Sequence, residues 1–336
     1  MLPEGLVQFL SIFLGFAVGT IYAGKAMRKC IDLGLYNEVN ERSSHKTPTP
    51  RGGGYAFVVI TSLFSLIWLY FKDNLEHHTY ITTLTLSGMC IAYLGWLDDR
   101  YNISAKLRFS CQLIAVCLCV YTLPNVFSEF MPLYAEKALI TLAWVWFINL
   151  YNFMDGIDGI AAVQATFMAL LMSIFMPSIA PILLVLSGAV MGILRFNWHP
   201  ARVFMGDVGS TYLGFILAGF MFYSLTLNLV AGFWTSLIIS SIFILDATFT
   251  LIKRLIKGKA PWQAHKEHFY QRATSMGMSH SQVVIRVVLI NTLFGLNAIL
   301  AFAAPSIGGY IFAFTVIICA IVAVRIKYLE GDLKKR

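Results

Sequence analysis

Residues 149–162 read NLYNFMDGIDGIAA, and they set two carboxylates, Asp155 and Asp158, between runs that carry almost no charge. An acidic side chain near hydrocarbon costs about 2.5 to 3.5 kcal/mol on insertion scales, so the rest of the chain must supply a reason for it. Asn149, Asn152, Asp155 and Asp158 are spaced three apart, which on a helix makes one slowly drifting polar stripe. Gly156 and Gly159 weaken the helix there and allow a broken end at the membrane surface. No Lys or Arg lies between Lys137 and Arg195, so whatever compensates this stripe comes from a distant part of the sequence.

Working outward, the 336-residue chain is 58% hydrophobic and only 12% charged, with a mean hydropathy of +0.72. That is far from a soluble composition and predicts an all-α polytopic membrane protein. Crossing a hydrocarbon core of roughly 30 Å takes about 20 mostly apolar residues. About eleven segments qualify, near residues 5–24, 54–71, 79–96, 108–123, 137–153, 160–177, 180–196, 210–228, 229–251, 284–303 and 309–325. With the N-terminus outside and the C-terminus cytoplasmic, all but two of the 25 Lys and Arg residues, Lys72 and Lys137, fall on the cytoplasmic side. The first segment follows Glu4 and precedes Lys25, Arg28 and Lys29, so it reads as a retained span rather than a signal peptide. No soluble domain, linker or repeat interrupts the pattern, and residues 1–336 read as a single integral membrane domain. The six cysteines show no metal or redox spacing. The net charge of +8 is spread over five short segments, which suits anionic lipid and anionic substrates and argues against nucleic acid.

Five polar stretches on the cytoplasmic side hold the chemistry. SSHKTPTPRGGG (43–54) offers His45 and Arg51 as a basic wall for a phosphate, with Gly52 to Gly54 allowing close backbone approach. GWLDDRYNISAKLRFSCQ (95–112) sets Asp98 and Asp99 side by side, followed by Arg100, Lys106 and Arg108. Adjacent carboxylates repel unless a cation compensates them. The opening stretch is the third. RFNWHPARVFMGDVGS (195–210) carries Arg202, and it places Asp207 where a loop enters the next span, beside free N–H groups that favour an anion. The last cytoplasmic loop, KRLIKGKAPWQAHKEHFYQRA, has His265 and His268 three apart, as on one helical face, suited to donating to oxyanions. Asp246, near the end of the ninth segment, is expected to pair with Lys253 or Arg254.

Hard oxygen ligands suit magnesium, with manganese as the alternative ion, and cations with glycine turns suit a diphosphate. Positioning and charge neutralisation are what phosphoryl transfer needs. The expected activity is transfer of a phosphate-linked group at the cytoplasmic face. A transporter relaying protons through intramembrane acids is the competing class, but nearly every acid lies at a cytoplasmic helix end rather than at the midplane.

These motifs, in this order along almost the whole chain, resemble the polyprenyl-phosphate N-acetylhexosamine-1-phosphate transferase family, with NFMDGIDG and FMGDVGS the most specific pair. The resemblance implies a multi-pass enzyme of the bacterial cell membrane in which undecaprenyl phosphate attacks the sugar-proximal phosphate of a UDP-N-acetylhexosamine and UMP leaves. It implies magnesium, with Asp207 matching the principal metal ligand and Asn152 a second. Asp98 and Asp99 match the aspartate pair, for which the resemblance implies either deprotonation of the lipid phosphate or a covalent aspartyl intermediate, Asp98 taken here in the base role, and Lys106 matches the lysine that follows. Asp155 and Asp158 match positions near nucleotide and metal. A homodimer is compatible with the resemblance.

One departure bears on the sugar. The last loop reads HKEH, with Glu267 where related branches carry histidine, which looks more like the O-antigen or capsule-initiating members. That implies a donor carrying N-acetylglucosamine or a 6-deoxy-N-acetylhexosamine. A UDP-N-acetylglucosamine-specific initiator of common antigen or teichoic acid is the alternative. The orientation is directly testable: a cysteine replacing Glu76 should react with an impermeant thiol reagent on intact cells. One replacing Lys266 should react only after permeabilisation, and the reverse pattern would invert the topology.

Overall fold

The computed structural model describes residues 3–37, 48–72, 78–260 and 265–333. Its elements are α1 (Glu4–Asp32), β1 (Tyr36–Asn37), β2 (Thr49–Pro50), α2 (Tyr55–Tyr70), α3 (His78–Tyr101), α4 (Ala105–Thr122), α5 (Leu133–Phe153), α6 (Ile160–Phe175), α7 (Ala180–Asn197), α8 (Gly206–Leu227), α9 (Leu229–Ile256), α10 (Phe269–Ser275), α11 (His280–Ala303) and α12 (Gly308–Leu333). The protein is an all-α polytopic membrane protein. Among the described residues nine helices are long and apolar enough to cross a bilayer. Two more apolar helices, α2 and α6, have 16 residues each, about 24 Å of rise, short of a full hydrocarbon core. These eleven sit where the sequence places its apolar segments. β1 and β2 form a two-residue antiparallel ribbon, Tyr36 opposite Pro50 and Asn37 opposite Thr49, which the apolar pattern does not announce.

At the centre is α8, buried along nearly its whole length and packed by α2, α3, α5, α6 and α9. Without a hydrophobic driving force in lipid, helices associate through close backbone approach at small residues and through polar contacts. Both are present. A Cβ added at Gly95 of α3 would stand 2.5 Å from the Asp207 carbonyl oxygen and 2.7 Å from Val208 Cα. The α1–α7 crossing is built the same way, with a Cβ at Gly19 meeting Ala189 Cα at 2.7 Å. In the polar mode, Gln164 Nε2 donates to the Ile239 carbonyl (2.9 Å) and Asn291 Nδ2 donates to Gln164 Oε1 (2.9 Å), joining α6, α9 and α11.

The stripe expected over residues 149–158 does not stay helical. α5 ends at Phe153, so Asn149 and Asn152 lie on the helix and Asp155 and Asp158 in the turn that follows. Gly159, at φ +78°, caps the start of α6. The glycine-containing turn wins over the three-residue period because it lets α6 leave in a new direction.

Gly19→Ala forces α1 and α7 apart against backbone atoms and should cost about 1–3 kcal/mol of stability. Gly5→Ala, which points into open space, should leave the melting temperature in detergent unchanged. Equal melting temperatures for the two variants would contradict the close α1–α7 approach.

Candidate active site

The end of the bundle where α3, α5 and α9 finish and α6, α8 and α11 begin collects the acids. Asp99 is buried in the last turn of α3. Its Oδ1 accepts the Asp207 N–H (2.9 Å) and its Oδ2 the Val208 N–H (3.2 Å), so it occupies the anion-seeking start of α8. The anion expected there is thus a side chain of the protein itself. Arg51 completes the joint, with Nε 3.1 Å from Asp99 Oδ1 and Nη2 donating to the Asp99 carbonyl (2.6 Å). Gly206 is at φ +73°, and a Cβ there would collide with Asp99 Oδ2. Gly52 and Gly53 donate their N–H groups to the Phe204 carbonyl, and Gly54 donates to that of Met205.

Asp98, also buried, pairs with Arg108 Nη1 at 2.5 Å and faces Asp207. Across from them, Asn152 Nδ2 donates to Asp207 Oδ1 (2.7 Å) and to Ser210 Oγ (2.8 Å), fixing the Asp207 rotamer. Asp155 is half-buried, and among the described residues the charges that act on it, from Asp207, Asp99 and Asp158, are negative. Burial first, then these neighbours, push its carboxyl well above the usual range. Asp98, Asp155, Asp207 and the Asn152 amide form a hard-oxygen set in which, among the described residues, Asp155 faces charges of its own sign, and such a set fits a divalent cation.

The remaining expected residues are dispersed. Lys106 is exposed in the first turn of α4. Arg202 is exposed, stacked 4.8 Å over the Phe196 ring. His45 lies outside the described residues. Asp158 is separated from the acid set by its bonding to His199 and His280: Oδ2 lies 2.6 Å from His199 Nδ1 and 3.2 Å from His280 Nδ1. Burial raises its carboxyl, but these contacts and the Ala201 N–H outweigh burial and hold it below the usual value.

His265 and His268 do not lie on a helix, because α10 begins only at Phe269, yet their rings are 4.8 Å apart. Burial, then the nearby His268 and Arg254, push His265 down to about 4, which leaves it a neutral imidazole near pH 7. Asp246 does not pair with Lys253 or Arg254. It accepts the N–H groups of Phe269 (2.9 Å) and Tyr270 (3.3 Å) and sits 3.4 Å from His268 Nδ1. Arg254 instead reaches Glu267 at 2.5 Å. Side chain to helix-start geometry decided both pairings, which residue spacing along α9 does not reveal.

His199 and His280 were not read from the sequence as functional. His199 lies within a polar stretch already noted, whereas His280 opens an apolar helix, and only folding brings both to Asp158.

Residues 79–225 match the model of glycosyl transferase family 4. A probable undecaprenyl-phosphate N-acetylglucosaminyl 1-phosphate transferase of Bacillus subtilis is 27% identical, covering 89% of this chain and 86% of that protein. A decaprenyl-phosphate N-acetylglucosaminephosphotransferase of Mycobacterium tuberculosis is 28% identical over 84% of this chain and 80% of its own length. A phospho-N-acetylmuramoyl-pentapeptide-transferase of Streptococcus agalactiae is 30% identical over 62% and 67%.

Because Asp155 holds a proton more readily in the folded than in the unfolded chain, its contribution to stability is full below the ordinary carboxylate range. It is lost as pH rises through the raised value. Asp155→Asn should therefore raise the melting temperature at pH 8 in EDTA by about 2–4 °C. An unchanged or lower value would show that the like-charge cluster is already compensated by the protein.

Proposed function

The chain belongs to glycosyl transferase family 4, the polyprenyl-phosphate N-acetylhexosamine-1-phosphate transferases, and from that membership we propose that it moves N-acetylhexosamine 1-phosphate from a UDP-sugar to undecaprenyl phosphate. It is a glycosyl-1-phosphate transferase and a multi-pass protein of the bacterial cell membrane. In the proposed reaction an oxygen of the lipid phosphate forms a bond to the sugar-bearing phosphorus. The bond from that phosphorus to the bridging oxygen breaks, and UMP leaves with the electron pair. The product is a lipid-linked diphosphate sugar.

The observation that carries this reading is the pinning of Asp207 by Asn152 near a carboxylate, Asp155, on which the described residues place negative charge. Asp207, Asn152 and Asp155 would hold a magnesium ion, with manganese able to replace it. When bound, the ion neutralises charge on the diphosphate and its leaving group. Asp98 is assigned the base and positioning role toward the lipid phosphate, oriented by Arg108. Asp99 acts at one remove by holding the start of α8. Lys106, exposed beside this end, draws anionic substrates toward it. Arg51 is engaged with Asp99, so its contribution to the site is structural. His265, neutral, can donate one hydrogen bond to an oxyanion but supplies no charge. The polar face of the bundle is assigned to the cytoplasm.

For the donor, UDP-N-acetylglucosamine is placed first, since the B. subtilis and M. tuberculosis relatives are named for that sugar. A UDP-6-deoxy-N-acetylhexosamine, and with it the start of O-antigen or another surface polysaccharide, is the second reading and rests on Glu267 within HKEH. The test is UMP release by purified protein with undecaprenyl phosphate, magnesium and a panel of both donor types. Release dependent on magnesium and on one donor, lowered about 100- to 1,000-fold by Asp207→Ala in protein that keeps its melting transition, is the expected result. Silence across the panel from folded protein would overturn the reading.

A further inference from the structure

A second polar cluster stands beside the acid set and takes no part in the reaction as proposed. Asp158 (6% exposed) closes the turn between α5 and α6, His199 comes from the loop between α7 and α8, and His280 (7% exposed) is the first residue of α11. Asp158 Oδ2 gathers His199 Nδ1 at 2.6 Å, the Ala201 N–H at 3.2 Å and His280 Nδ1 at 3.2 Å. The Asp158 N–H points at the same His280 nitrogen (3.3 Å). His280 is itself fixed, because Ser279 and Gln282 close a capping box around the start of α11. One residue on, the Gly159 N–H donates to Asn197 Oδ1 (3.1 Å), and Asn197 Nδ2 donates to the Val203 carbonyl (3.0 Å).

Residues 158–159 are thereby fastened both to α11 and to the 197–203 loop, which runs directly into Gly206 and Asp207. The other end of the turn is clamped too. Tyr270 Oη donates to the Phe153 carbonyl (2.9 Å), and Gly156 lies so close beneath that hydroxyl that a Cβ could not fit. Between the two clamps stands Asp155. The turn that carries it is therefore held at both ends, which fixes where its carboxylate stands relative to Asp207.

A transition-metal ion is the competing occupant of this cluster, since two imidazoles and a carboxylate, mutually within 4.8 Å, are a usable ligand set. The 2.6 Å separation of Asp158 Oδ2 from His199 Nδ1 speaks against it. Two ligands on a tetrahedral ion with bonds of about 2.0 Å stand roughly 3.3 Å apart, whereas at 2.6 Å the imidazole and the carboxylate are in direct, short hydrogen-bond contact.

We propose that His199 and His280 are positioning residues: through Asp158 they lock the turn that carries Asp155 against the loop that carries Asp207, and so preset the spacing of the two carboxylates that receive the divalent cation. The proposal rests on the cation-dependent transfer described above. Partners one shell removed from a metal typically change its affinity by about 10- to 100-fold when lost, which sets the size of the expected effect.

The test measures Mn²⁺ affinity by electron paramagnetic resonance on substrate-free protein in detergent, alongside UMP release, for wild type, His199→Ala, His280→Ala, His199→Asn and His199→Gln. The Asn amide nitrogen falls where Nδ1 stood, and the Gln amide reaches toward Nε2. The expected result is Mn²⁺ binding weakened about 10- to 100-fold in both Ala variants, a matching rise in the magnesium needed for half-maximal rate, and a KM for the UDP-sugar within about twofold of wild type. His199→Asn should recover most of the Mn²⁺ affinity and His199→Gln should not. The Asn and Gln pair carries the test if an Ala variant fails to fold. Unchanged Mn²⁺ affinity in folded Ala variants would overturn the proposal, as would rescue by Gln and not Asn, which would put Nε2 on a ligand. One equivalent of zinc in wild type, absent from the Ala variants, would replace it with a metal site. Wild type that binds Mn²⁺ with this order of variants but releases no UMP would sink the transferase reading and leave the positioning role standing.

Discussion

Asp99 stands at the end of α3 with its two carboxylate oxygens on the Asp207 and Val208 N–H groups in the first turn of α8 and the Arg51 guanidinium against its flank. A buried carboxylate is expensive unless every lone pair is used, and here a helix start and an arginine use them. The consequence is geometric. The central helix can begin only where Asp99 meets it, so α3, α8 and the glycine-rich segment before α2 share one fixed point. Asp207, whose own N–H is part of that joint, inherits its position from it.

The same end of the bundle contains a half-buried acid in a different setting. Among the described residues Asp155 has no such partners, and the charges acting on it come from carboxylates. The pair shows how one fold uses acids of identical chemistry for different ends: one hydrogen-bonded to a helix start and paired with an arginine so that it holds the scaffold, the other set among carboxylates so that a cation completes it. Glycines make the contrast workable. Gly206 admits Asp99 at the start of α8, and Gly95 lets α3 lie against the Asp207 backbone, so the joint is close enough for direct hydrogen bonds without water.

Much of this was legible in the sequence. The apolar runs located the helices, the glycine-flanked Asp207 announced a helix start, and the absence of any basic residue around NLYNFMDGIDGIAA implied compensation from far along the chain. What periodicity could not supply was where that compensation lay. The three-residue spacing of Asn149 to Asp158 suggested a single helical face, yet the turn after Phe153 sends Asp155 and Asp158 to different partners. His280 opens an apolar helix and carries no local signal of its partner, and Asp246 is expected from spacing to pair with a cation on its own helix. In each case the deciding contact joins segments dozens of residues apart, and residue spacing along one element carries no information about it.

The central claim is that the uncompensated acids are completed by a divalent cation held between Asp207 and Asp155. Anomalous scattering from crystals soaked in Mn²⁺ tests it most directly. The account predicts one strong peak bonded to Asp207 and Asp155, with Asn152 alongside. A peak on Asp158, His199 and His280 instead, or no peak on either cluster in protein that turns over, would contradict it.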